Sequence, residues 1–143
     1  MSAPPRVTLV TLGVTNLSRS TSFYGALGWP LSKASVPGEV SFFRTAGAVL
    51  ALWGSEALAA DAGLDTPGNG FRGVALAINC VGRDQVDETL RSAQAAGGTI
   101  VREAHATDWG GYSGYFADPD GHVWEVAHNP AWPLSPEDQL ILP

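Results

Sequence analysis

The same order of local patterns appears twice in this chain. Residues 7–14 form a β-branched run in which Val10, Leu12 and Val14 share one face, predicting a strand. Thr15, Asn16 and Ser18 supply capping chemistry for a helix over 17–27, which Gly28 and Pro30 stop. Residues 40–43 and 48–53 then read as a hairpin about Thr45-Ala46-Gly47. In the second half Val74, Leu76 and Ile78 repeat the alternation, and a helix over 85–96 closes at Gly97-Gly98. A strand over 99–104 follows, with strands over 114–117 and 122–127 about the turn Asp118-Pro119-Asp120-Gly121. Strand, helix and terminal hairpin thus recur, and a repeat of this kind restricts the fold to two similar modules.

A chain of 143 residues is the size of one domain, and 45% hydrophobic against 15% charged residues suits a packed core. The predicted division is a first module over 6–54, a linker over 55–71 holding a helical turn at 56–62 and a loop through Pro67-Gly68-Asn69-Gly70, a second module over 72–129, and a tail over 130–143. A formal charge of −6 excludes the basic footprint of a nucleic-acid binder. No apolar run approaches the ~20 residues of a membrane span, so no membrane partner is expected. One cysteine, Cys80, cannot form an internal disulfide. These features suit a cytoplasmic protein.

Strand alternation separates two faces. Opposite the apolar stripe of the first strand lie Leu9, Thr11 and Gly13. In the second half the corresponding face carries Gly73, Ala75, Ala77 and Asn79. On the last strand of each half it carries Val49, Ala51 and Trp53, then Val123, Glu125 and Ala127. Small and polar residues pack a helix poorly, so this face reads as the lining of a cleft.

Two motifs resemble those of the vicinal oxygen chelate superfamily, the glyoxalase, bleomycin-resistance and extradiol-dioxygenase relatives. Val14-Thr15-Asn16-Leu17, with Ser20, Phe23-Tyr24 and Leu27-Gly28, is similar to its opening motif. The run from Gly114 through Asp118-Pro119-Asp120-Gly121 to Glu125 is similar to its closing one. The resemblance implies an α+β fold of two βαβββ modules curling around a central cleft, usually in a homodimer. It also implies four ligand positions in metal-dependent members, which here are Leu9, Ala51, Gly73 and Glu125. Three of these have no donor atom in their side chains, so no metal or other cofactor is expected. A site rebuilt from Glu125, His105 and His128 is the remaining metal-binding alternative.

Glu125 is then the chemically interesting group. In an apolar cavity its pKa would rise, and it would serve as a general base or as acceptor for a cationic or hydroxyl-bearing ligand. The competing structural reading is a carboxylate that bonds only Asn79, Tyr112 or water. Five tryptophans offer flat apolar surface. Trp124 is assigned to the core and Trp53 to the cleft. Trp109 and Tyr112 sit in a glycine-rich excursion expected to overhang the cleft, and Trp132 lies in a proline-rich tail expected to wrap onto a neighbour. The Asp118–Gly121 carboxylates are explained by turn chemistry, and Cys80 reads as an inert thiol.

The resulting expectation is a metal-independent homodimer that binds an unidentified hydrophobic or aromatic small molecule, neutral or cationic. The predicted ligand-binding residues are Leu9, Thr11, Ala51, Trp53, Gly73, Ala75, Asn79, Trp109, Tyr112 and Glu125. The alternatives are a glyoxalase-like lyase or isomerase, or a dioxygenase, using Glu125 or the rebuilt metal site, and a scaffold with no small ligand.

Overall fold

A computed structural model describes residues 3, 5–65, 68 and 70–143. Pro67 and Asn69 of the predicted linker turn lie outside the described residues. The first module runs β1 (Leu9–Val14), α1 (Leu17–Ala26), β2 (Val40–Phe43) and β3 (Val49–Gly54). A short α2 (Ser55–Asp61) leads to the second module: β4 (Ala75–Asn79), α3 (Arg83–Ala95), β5 (Thr99–Ala106), β6 (Tyr112–Ala117) and β7 (Val123–His128).

Both helices are closed as their sequences dictate. Asn16 caps α1 by accepting the Arg19 backbone N–H at 3.0 Å. Gly28 and Gly97, at φ 89° and 108°, take the left-handed position after the two helices.

The two sheets have equivalent topology. In the first the strand order is β1-β3-β2, with β1 parallel to β3; in the second it is β4-β7-β6-β5, with β4 parallel to β7. The second module is a full βαβββ unit. In the first, the counterpart of β5 is reduced to an isolated antiparallel bridge between Leu31 and Phe43. Pro30 and Pro37 remove backbone donors on either side of that stretch, which prevents a continuous strand there.

The predicted excursion before β6 is also mostly strand. β5 continues to Ala106, absorbing extra residues as two register shifts against β6, and only the turn around Trp109-Gly110-Gly111 leaves the sheet.

One core unites the modules. Phe23 and Tyr24 of α1 are fully buried against Phe116 and Trp124 of the second sheet and Phe43 of the first. Polar groups reinforce this junction. The Tyr24 hydroxyl donates to Asp118 at 2.7 Å and accepts from Trp124 Nε1 at 3.1 Å. Asp120 accepts from the Thr15 backbone and hydroxyl and from the Ser20 hydroxyl, at 2.8, 2.8 and 2.9 Å. His122 Nε2 donates to the Gly13 carbonyl at 2.7 Å, leaving Nδ1 to accept from Arg72 at 3.1 Å. The Asp-Pro-Asp-Gly sequence is therefore a turn, with Asp118 accepting the backbone N–H groups of Asp120 and His122, and also the clamp between modules.

The tail folds back on its own chain. Leu134 pairs with Leu140, Ser135 N–H donates to the Gln139 carbonyl, and Gln139 Nε2 reaches the Ala46 carbonyl at 3.4 Å. Among the described residues no helix is long and apolar enough to cross a membrane.

Candidate functional site

Cross-strand register fixes which residues can act together on the face away from α1 and α3. In the second sheet one row runs Ala77, Glu125, Tyr115, Arg102 across β4, β7, β6 and β5. The next runs Asn79, Ala127, Ser113, His105. In the first sheet the row through Ala51 holds Thr11 and Phe42, and Trp53 lies one row further along, opposite Gly13 and Val40.

Glu125 accepts a long hydrogen bond from the Tyr115 hydroxyl, at 3.4 Å. Burial and the neighbouring Glu125 charge raise the Tyr115 pKa above its ordinary value, against the opposing pull of Arg102. The phenol therefore stays protonated and donates. Such a pair leaves the carboxylate able to accept from a bound hydroxyl, amide or cation, with Arg102 in register beyond Tyr115.

Sequence reasoning did not single out Tyr115, Arg102 or Ser113. The hairpin register carried the signal for two of them: counting back from Asp118 and forward from Gly121 places Tyr115 opposite Glu125 and Ser113 opposite Ala127. Arg102 was not accessible this way, because the register shifts in β5 move its partners.

The other predicted residues are dispersed. Thr11 and Ala51 are adjacent in register and Ala51 is buried; Leu9, opposite Val49, is 47% exposed. Ala75 is exposed opposite Val123. Gly73 precedes β4, exposed, at φ 75°. Trp109 is 52% exposed beside Gly111, where an added Cβ would collide with the indole ring. Tyr112 belongs to the opposite face: its hydroxyl donates to Asp87 of α3 at 2.7 Å and the Arg83 guanidinium sits 5.0 Å above its ring. The Asp87 bond foremost raises its pKa.

The four positions that the resemblance implies for metal ligands do not fit a cation. Leu9, Ala51 and Gly73 contribute no side-chain donor beside Glu125, and Leu9 and Ala51 fall in different rows. The rebuilt alternative is not assembled either. By alternation along β7, His128 lies on the face opposite Glu125, where its Nδ1 donates to the Cys80 carbonyl at 3.1 Å. His105 Nδ1 donates to the Glu103 carbonyl at 3.1 Å. Among the described residues no group of three or more His, Cys, Asp or Glu side chains is placed to hold a metal ion.

Comparison with known proteins places this geometry. The model of the Glyoxalase/Bleomycin resistance protein/Dioxygenase superfamily matches residues 6–126. A glyoxalase-related enzyme from Fulvimarina pelagi is 36% identical, covering 97% of this chain and 99% of that one, with a TM-score of 0.88. A glyoxalase/bleomycin resistance protein/dioxygenase from Nocardioides is 25% identical over 90% of this chain and 85% of its own, with a TM-score of 0.72. Lactoylglutathione lyase from Agrobacterium tumefaciens shares the fold at 22% identity, 89% and 96% coverage and a TM-score of 0.67. The comparison with curated proteins returned no match. The chain belongs to the Glyoxalase/Bleomycin resistance protein/Dioxygenase superfamily.

Proposed function

We propose that this protein is a metal-independent small-molecule binder of the bleomycin-resistance-like type, which holds a neutral or cationic aromatic ligand against the Glu125 face. The observation that carries the reading is the Glu125–Tyr115 pair, a carboxylate hydrogen-bonded by a phenol, together with the lack of side-chain donors at Leu9, Ala51 and Gly73, the companion positions that the resemblance implies for metal ligands. A net charge of −6 favours a ligand without negative charge.

A second copy of the chain completes the site in this proposal. β1 and β4 each stand at the edge of their sheet. Leu9, Phe71 and Val74 are exposed at or just before those edges, and unpaired edges of this kind are normally covered.

Benzamidine tests the reading, because its amidinium matches a carboxylate and its ring offers the apolar surface. Saturable binding to the proposed dimer, weakened about 10- to 100-fold in Glu125→Gln, is expected from the loss of a charge-assisted hydrogen bond. Equal affinity in both proteins, or a monomer by sedimentation, contradicts it. Turnover of an α-ketoaldehyde thiol adduct that Glu125→Gln abolishes would instead favour a lyase.

A further inference from the structure

The repeat creates two crevices where a helix of one module meets the hairpin of the other, and they differ. In the first, α1 meets the β6–β7 turn and is sealed by Tyr24, Trp124 and Asp118. In its counterpart, α3 faces the β2–β3 turn and no comparable side-chain cluster fills the space. Gln85 and Thr89 on one side and Thr45, Ala48 and Leu50 on the other enclose a cavity of about 650 Å³.

Glu125 and Tyr115 do not line this cavity, although Ala77 and Asn79 of the edge strand β4 border it. Its floor is Val10, Leu76, Ile78 and Trp124, the helix-side residues that alternate with Leu9, Ala75, Ala77 and Glu125. Trp29 stands at its wall, edge-on to Trp124 at 5.5 Å. Leu134 and Leu140 of the C-terminal hairpin roof it, and the hairpin is tied to the β2–β3 turn through Gln139 and Ala46.

We propose that this inter-module cavity binds a neutral, flat aromatic molecule bearing one hydrogen-bonding group, admitted by displacement of the C-terminal hairpin. The volume falls in the range of small-ligand pockets, roughly 300–1,000 Å³. The walls supply two indole surfaces and aliphatic side chains. The polar groups at the β4–α3 end are uncharged: Gln85, Thr89 and the Cys80 thiol, whose pKa burial raises. Arg44 and Asp138 are the charged residues of the lining, and their opposite signs give no preference for a charged ligand.

The test uses 2-naphthol and the full chain. Calorimetry should show saturable binding, and at ten times the Kd the rate of maleimide labelling at Cys80 should fall about tenfold. Thr89→Tyr, which fills the cavity from α3, should lose both effects, as should Ala48→Trp, which fills it from the other wall; circular dichroism checks that each folds. Glu125→Gln should keep both. Absence of saturable binding overturns the proposal. So does binding that survives the folded cavity-filling variants, and loss of that binding in Glu125→Gln would place the probe on the Glu125 face instead.

Discussion

The Tyr24 hydroxyl donates to Asp118 at 2.7 Å across 94 residues of sequence, joining the helix of one module to the terminal hairpin of the other. Both side chains are buried, and Trp124 Nε1 completes the chain of donors. Burial and the adjacent Asp118 charge push the phenol far above its ordinary pKa, so it remains a donor throughout the working range. Tyr24→Phe leaves Asp118 and Trp124 each short of a partner, and a loss of about 1–3 kcal/mol in urea unfolding is expected. A change within error would show that the clamp contributes nothing net.

Asp120 makes the same junction sensitive to acid. Burial raises its pKa, but the Thr15 and Ser20 hydrogen bonds and the Arg19 charge outweigh this, and the carboxyl titrates below its usual 3.8. A depressed folded value stabilises the fold above the unfolded pKa, and the stabilisation is lost as pH falls through the folded one. The urea midpoint of the native protein should therefore drop between about pH 5 and pH 2, and more steeply than that of Asp120→Asn. Parallel profiles would remove Asp120 from the account.

Two glycine-to-alanine changes should have opposite signs. A Cβ on Gly114 would meet Leu90 Cδ1 at 2.8 Å and the backbone of Ala104 and Arg102 at 2.9 Å, so α3 or β5 must shift. Overpacking of this kind costs about 1–3 kcal/mol. Gly25, in the last turn of α1, has nothing within 4 Å, and alanine there should stabilise by about 0.5–1 kcal/mol. Thermal melts of the two variants check both signs.

Tyr115 reports on its partner. Burial and the Glu125 carboxylate both raise its pKa, so Glu125→Gln removes one cause and should shift one tyrosine to lower pH in a phenolate absorbance titration. An unchanged titration would mean that the pair does not form in solution.

The repeat, both helices and the terminal hairpins were legible because their signals are local: alternation, Asn16 as cap, Gly28 and Gly97 as stops. The reduced first sheet was less so, since Leu31 and Val36 look extended and only the flanking prolines explain why pairing shrinks to single bridges. At the site, Glu125 was readable from its motif. Tyr112, expected over the cleft, lies on the other face, because its side depends on where β6 begins, and the structure starts the strand at Tyr112 and aims it at Asp87. The bulges that bring Arg102 beside Tyr115, and the hollow left between α3 and the β2–β3 turn, arise from long-range packing and have no local signature.

The central claim is that the Glu125 face works without an ion. Titration of the chelator-treated protein with zinc and with nickel, read by calorimetry and elemental analysis after gel filtration, tests it most directly. The account predicts substoichiometric, weak uptake that Glu125→Gln leaves unchanged. One tightly held ion per chain, lost in Glu125→Gln, would contradict it.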